Sequence, residues 1–226
     1  MKKLLLGLVL AASMLPVQAK PITSEPIEES DYNTPHAMGC MLLRECTDGV
    51  IKINSIEDLE KYYGVEYNID PTEFNALVKA SEDAGVGVYL APEKYFLKNN
   101  RGVYHTVGNN FFLNDFYMHK SHHLMSVMRH EGWHAAQDCM AGSLHNTVIA
   151  IIHNTEDVPK IWKNMAEDLY PESIVPWEAE ALWAGRVEGM TLEALKVCAS
   201  DQKMWEVYTP TPLTRQYLVD QGYIKE

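Results

Sequence analysis

The chain has 226 residues, 46% of them hydrophobic and 22% charged, which is enough for one sizeable core and excludes a disordered tail or a mini-protein. Its 19 Lys and Arg residues face 31 Asp and Glu residues, for a formal net charge of -12. Because no basic run interrupts this acidic balance, nucleic acid is not an expected partner.

The first residues predict an export signal. Lys2 and Lys3 precede an apolar run from Leu4 to Leu15, and Val17-Gln18-Ala19 is a small-residue cleavage pattern. The run is about half of the roughly 20 residues that a membrane-spanning helix needs, so no membrane anchor is expected after cleavage. Residues 1–19 are therefore predicted to be a signal peptide of a secreted or periplasmic protein.

Two further segments follow the predicted signal. Residues 20–36 are rich in Pro, Ser, Glu and Thr, which favours a flexible lead or a short pro-segment. Residues 37–226 are expected to form a single domain.

An exported chain with an even number of cysteines is expected to form disulfides. The four cysteines allow three pairings. We favour Cys40 with Cys46, which are close in sequence, and Cys139 with Cys198, each of which lies in or ends a predicted helix.

The order of predicted elements indicates an α+β fold. Two short helices begin near Ser55 and Asp70 and end at Gly64 and Gly85. Segments rich in Val, Tyr and Phe then predict a small, mostly antiparallel sheet with strands at 86–91, 95–98, 103–107 and 111–114. Later helices, two of them capped by Ser121 and Thr211, are predicted at 121–141, 155–170, 176–190, 191–206 and 212–221.

The helix predicted at 121–141 contains the pattern H-E-x-x-H, formed by His130, Glu131 and His134. Residues four apart on a helix differ by only about 40° around the axis, so both imidazoles can bind one metal ion. Glu131 is offset by about 100° from His130, which places it to act as a general base on a metal-activated water. The alternative is a pair of hydrogen-bonded core histidines. Val127 to Ala136 carry no charge outside the motif except Arg129, as expected beneath an active-site cleft.

These residues resemble the motif helix of the zincin metallopeptidases, in which a Val or Thr often stands where Val127 does. The metzincin pattern would need Gly and His in place of Gln137 and Met140, so that branch is excluded. The segment Pro176 to Ala184 is similar to the Glu-x-Glu-Ala stretch of gluzincins, and the resemblance implies a third zinc ligand there.

Two acids of that stretch compete for the third position. Residues two apart on a helix point about 200° apart, so Glu178 and Glu180 cannot both bind one ion. Glu178 shares its face with the small residues Ala181 and Gly185, which allow close helix approach, and we favour it. Glu180 shares its face with bulkier side chains. Less favoured acids are Glu167, Glu172 and Asp157.

Other residues near the motif have weaker signals. A group that stabilises the oxyanion could come from four rings among which the sequence does not choose: His145, His153, Tyr208 and Tyr217. Three histidines crowd the start of the motif helix and could line a cleft, although a solvated helix start explains them equally well: His119, His122 and His123.

The sequence therefore predicts a secreted zinc hydrolase, a metallopeptidase acting on peptide or protein substrates. His130, His134 and Glu178 would bind Zn²⁺, and Glu131 would be the general base. Strand 111–114 is expected to pair with an extended substrate. The alternative is a secreted binding or structural protein with a catalytically silent zincin fold. The sequence does not determine the oligomeric state.

Overall fold

The computed structural model describes residues 26–225, so the predicted signal peptide and residues 20–25 of the predicted lead lie outside it. The described part of the lead contains a 3-10 turn at Glu29–Asp31, and helix α1, Pro35–Leu42, begins within its last residues. The Asn33 amide donates to the carbonyls of Glu93 and Phe96. This contact ties the segment to the domain.

The first predicted helices are confirmed. Helix α2 spans Ile56–Tyr63 and ends at Gly64, whose φ of 66° lies in the left-handed region. Helix α3 spans Pro71–Asp83. The Asp70 carboxylate caps α3 by accepting a hydrogen bond from the Thr72 amide at 2.8 Å.

The chain also forms a four-stranded sheet, whose first strand precedes α2, and with the helices around it the predicted α+β class is confirmed. Its strands are β1 Ile51–Lys52, β2 Gly87–Ala91, β3 Gly102–His105 and β4 Asn110–Asn114. Their order is β1-β2-β4-β3. The outer pairs are antiparallel, but the central pair, β2 with β4, is parallel, so the sheet is mixed.

One strand prediction was wrong, and one predicted strand is not the edge strand that pairing with a substrate would need. Residues 95–98 are not a strand, because a 3-10 turn at Glu93–Tyr95 lets the consecutive rings of Tyr95 and Phe96 both enter one apolar cluster, which alternating strand geometry would forbid. Segment 111–114 lies in β4, which is paired on both sides and fully buried. The outer strand beside it is β3.

The second half of the chain is helical, as predicted, with shorter helices. They are α4 Asp115–Met118, α5 Ser121–Met140, α6 Lys160–Leu169, α7 Val175–Ala184, α8 Met190–Cys198, α9 Met204–Val207 and α10 Pro212–Asp220. Thr211 caps α10 by accepting from the Thr214 amide, as predicted. The expected Ser121 cap is wrong, because Ser121 is already helical and Lys120 occupies the N-cap without a side-chain bond.

Helix α5 is the centre of the molecule. Its apolar residues pack on the sheet, α2 and α3 in one core cluster, and on α7 and α8 in a second. None of the helices in residues 26–225 is both long enough and apolar enough to cross a membrane.

Both predicted disulfides are present. Cys40 and Cys46 join α1 to the turn after it, with Cα atoms 5.2 Å apart, and Cys139 and Cys198 join α5 to α8, with Cα atoms 5.8 Å apart. Two disulfides are compatible with an oxidising compartment.

Candidate metal site

The predicted histidines meet the predicted carboxylate. The Nε2 atoms of His130 and His134 lie 3.2 Å apart, and the Glu178 oxygens lie 3.3 Å from His130 Nε2 and 3.7 Å from His134 Nε2. Two ligand atoms at zinc bond lengths in a tetrahedral site would be about 3.3 to 3.5 Å apart. The three side chains form a group that could hold a metal ion.

Glu178 is a ligand candidate also because one of its oxygens lacks a hydrogen-bond donor. Its Oε2 atom is buried and accepts no hydrogen bond from the described part of the chain. A buried carboxylate oxygen without a donor is costly unless a cation partners it. A metal ion between the two imidazoles and this oxygen would satisfy it.

Small residues let α7 come close enough to α5 for this contact. A Cβ atom placed on Gly185 would lie 2.9 Å from the Ser126 carbonyl oxygen and 3.5 Å from the His130 Cβ. The first distance is shorter than real Cβ contacts allow. Glycine at this position therefore sets the spacing between the helix that carries Glu178 and the helix that carries the histidines.

Glu180, the competing carboxylate, points elsewhere. It is fully buried and accepts hydrogen bonds from Gln137 Nε2 at 2.7 Å, Trp133 Nε1 at 3.3 Å and the backbone amides of Ile152 and His153. Burial raises its pKa to about 7, although these donors oppose the rise. Glu180 joins α7 to α5 and to the chain that follows α5.

Gln137 connects Glu180 to the candidate site. Its side-chain oxygen lies 2.8 Å from His134 Nδ1, while its amide nitrogen donates to Glu180. An Nδ1–H donated to this oxygen turns His134 Nε2 towards Glu178, where that nitrogen can bind a proton or a metal ion. In the sequence, Gln137 served only to exclude the metzincin pattern. No local sequence pattern predicts its contact with His134.

His134 and Glu178 strongly affect each other's pKa. Burial lowers the pKa of His134, but the Glu178 carboxylate outweighs burial and, with Glu131 and Gln137, raises that pKa to about 9. Burial raises the pKa of Glu178, whereas His134 and His130 lower it well below its ordinary value. The protein thus places a negative carboxylate beside a proton-binding imidazole, where a cation is favourable.

Glu131 lies next to this group, under the outer strand. It is buried, and burial raises its pKa, while His130 and His134 oppose the rise. A Cβ atom on Gly102 would lie 2.6 Å from Glu131 Oε1, so the first residue of β3 must be small to leave room for the carboxylate. The sequence did not identify Gly102, because its role depends on how β3 packs against α5.

The other predicted candidates lie away from the cluster. The three less favoured acids are exposed: Glu167, Glu172 and Asp157. His153 stacks on Trp133 with ring centroids 5.6 Å apart and also contacts Tyr208 at 6.1 Å. Tyr217 packs against the core formed by α5, α7 and α8, and His145 is exposed.

Tyr170, which the sequence did not single out, is electrostatically linked to the candidate metal site. Burial raises its pKa, and the negative charges of Glu178 and then Glu131 raise it further. It follows α6, just before the turn that leads into α7. A single tyrosine outside any motif carries no sequence signal that would predict its interaction with Glu178.

Comparisons with known proteins give no relative. No protein-family model, no curated protein and no solved structure matches this chain. The geometry of the site is therefore what indicates a function for this chain.

Proposed function

We propose that this chain is an exported zinc-dependent peptidase. The observation that carries the proposal is the cluster of His130, His134 and Glu178, whose ligand atoms lie 3.2, 3.3 and 3.7 Å apart, close to the separations in a tetrahedral zinc site. Two imidazoles and one carboxylate are a common donor set for catalytic zinc, and three protein ligands leave one position open. When bound, zinc acts as a Lewis acid and lowers the pKa of a water ligand.

Glu131 is the proposed general base. Its buried carboxylate takes a proton from the attacking water and returns it to the amine that leaves the cleaved bond. The raised pKa produced by burial favours holding the proton between these two steps. Gly102 keeps β3 close above this carboxylate.

Tyr170 is the proposed donor to the oxygen that becomes negative during attack. A tyrosine hydroxyl is protonated at neutral pH even at its ordinary pKa of about 10, and burial raises this pKa further, so the Tyr170 hydroxyl can donate a hydrogen bond. Its electrostatic link to Glu178 and Glu131 supports this role over the four rings considered from sequence.

The substrate is proposed to be a peptide in extended form. Strand β3 is the outer strand on this side of the described sheet, and it runs directly past Glu131. A peptide that pairs with β3 as an added strand would place a backbone carbonyl near the catalytic group. This assigns to β3 the role that the sequence gave to 111–114.

The test compares three forms of the mature chain loaded with zinc: wild type, Glu131→Gln and Tyr170→Phe. We expect all three to bind about one zinc, while kcat on a peptide library falls by roughly 10² to 10⁴ in Glu131→Gln and by about 10² in Tyr170→Phe. Undiminished turnover in Glu131→Gln would defeat the mechanism. No turnover by the wild type would favour a catalytically silent site.

A further inference from the structure

A group of positive side chains lies at one end of the proposed active site. Five residues form it, and we refer to them as the basic rim: Arg101, Lys120, His122, His123 and Arg186. Arg101 Nη1 lies 3.5 Å from His123 Nδ1, and the His122 and His123 ring centroids are 4.1 Å apart. Arg186 and His122 line one cavity of about 480 Å³ beside the start of α5.

The cations of the basic rim lack acidic partners. Within residues 26–225, neither Arg101, Lys120 nor Arg186 forms a salt bridge. Arg129, which lines the same cavity, is instead paired with Glu73 at 2.5 Å. Arg101 lies over the Tyr117 ring, but in a chain with a net charge of -12 a group of cations without an acidic partner among the described residues is unexpected.

The positive charges act on one another. Burial lowers the pKa of His123, and the charges of Arg101, His122, Lys120 and Arg186 lower it further. Arg101 and His122, whose charges have the largest effects, are also the two in direct contact with His123. A negative group at this place would relieve the repulsion.

Two residues of the basic rim are next in sequence to residues that pack beside the candidate metal site. Arg101 directly precedes Gly102, the residue that packs on Glu131, and Arg186 directly follows Gly185, the residue that packs near His130. His123 precedes His130 by seven residues, so it lies on nearly the same face of α5, about 10 Å along the axis. An extended peptide covers this distance in about three residues.

We infer that the basic rim is a substrate subsite for a carboxylate, so that the proposed peptidase prefers peptides with an acidic group about three residues from the cleaved bond. This inference rests on the proposed function, because a peptide bound there is a substrate only if the chain is a peptidase. The planar guanidinium groups of Arg101 and Arg186 suit a carboxylate because each can donate two parallel hydrogen bonds. The carboxylate can belong to an acidic side chain or to the end of the peptide chain.

The test measures binding without cleavage, in the zinc-loaded Glu131→Gln chain. Fluorescent heptapeptides carry one Asp at each position in turn, with Asn peptides as neutral partners and free or amidated C-termini. We expect Asp to bind about fivefold more tightly than Asn at one position, with a preference that shrinks as salt rises. A preference that disappears on amidation would assign the subsite to the chain end, and one that persists would assign it to a side chain.

Variants decide whether the basic rim causes the preference. Arg101→Gln with Arg186→Gln should abolish it, and each single substitution should reduce it. Arg215→Gln, which removes the same charge from α10, should retain it. An unchanged preference in the double variant, or no preference at any position, would overturn the inference. If the preference depends on the basic rim but the protein cleaves no peptide, the proposed peptidase activity is wrong and the carboxylate-binding site remains supported.

Discussion

At the scale of single residues, a sequence pattern predicts some side chains of the candidate site, and no pattern predicts the others. Helix periodicity fixes the relative directions of His130, Glu131 and His134, so their pattern alone predicts that the two histidines share a face and that Glu131 is offset by about 100° from His130. Gln137 and Tyr170 have no such pattern. Their contacts with His134 and Glu178 exist only because distant segments pack together, which local sequence does not encode.

The contact of Gln137 with His134 predicts a role in metal affinity. Gln137→Ala removes the acceptor that orients the imidazole and one donor to Glu180, so zinc affinity should fall by about 10-fold to 100-fold while the fold persists. Competition with a chelator measures the affinity. Gln202→Ala, at an exposed position after α8, is the control and should bind zinc as the wild type does. Equal affinity in the two variants would show that His134 is oriented without Gln137.

At the scale of elements, the structure agrees with the sequence where local signals act and differs where tertiary packing decides. Caps at Asp70 and Thr211 set their helix starts as predicted. The parallel pairing of β2 with β4 was not predictable from strand patterns, because strand direction depends on the whole connection between them. The structure places Glu178, the acid that the small residues on its helix face favoured, beside His130 and His134, and its role as a metal ligand stays a prediction.

The close approach of α7 to α5 predicts that alanine in place of Gly185 weakens zinc binding. Gly185→Ala places a Cβ atom 2.9 Å from the Ser126 carbonyl, so α7 must shift and carry Glu178 with it. Zinc affinity should fall by about tenfold or more, because metal sites tolerate only about 0.2 Å in ligand distance. Gly39→Ala in α1, where no atom lies within 4 Å, should leave zinc affinity unchanged. Equal zinc affinity in both variants would contradict the assigned spacing.

The link between β3 and α5 predicts a pH-dependent stability. The Tyr104 hydroxyl donates to Asp138 Oδ2 at 2.7 Å, and burial raises the pKa of Asp138 from 3.8 to about 7 despite this bond. Between these values the folded chain holds a proton that the unfolded chain releases. The stability contributed by this group is therefore present at low pH, falls as pH rises through this range and is lost above about pH 7.

Asp138→Asn tests this link, because Asn keeps an acceptor for Tyr104 and has no charge. Relative to wild type, its free energy of unfolding should increase by roughly 2 to 4 kcal/mol between pH 4 and pH 8. Denaturant unfolding with intact disulfides measures the difference. Asp201→Asn, an exposed substitution before α9, should show no such trend. Parallel pH curves for Asp138→Asn and wild type would contradict a raised pKa.

At the scale of the whole molecule, α5 organises both the core and the candidate site. Its apolar faces pack on the sheet and on α7 and α8, the Cys139–Cys198 disulfide joins it to α8, and its remaining face carries His130 and His134. The sequence predicted this central helix from its motif. It did not predict the outer strand β3 above the site, because the edge of a sheet is set by strand order.

The most direct test of the account is the zinc content of the purified mature chain, measured by metal analysis after dialysis against metal-free buffer. We expect about one zinc per wild-type chain, and loss of zinc from the His130→Ala with His134→Ala variant and from Glu178→Ala. Glu172→Ala, which changes an exposed acid just before α7, should keep the metal. Full zinc occupancy in the double histidine variant, or no zinc in the wild type after zinc is added, would contradict the metal site.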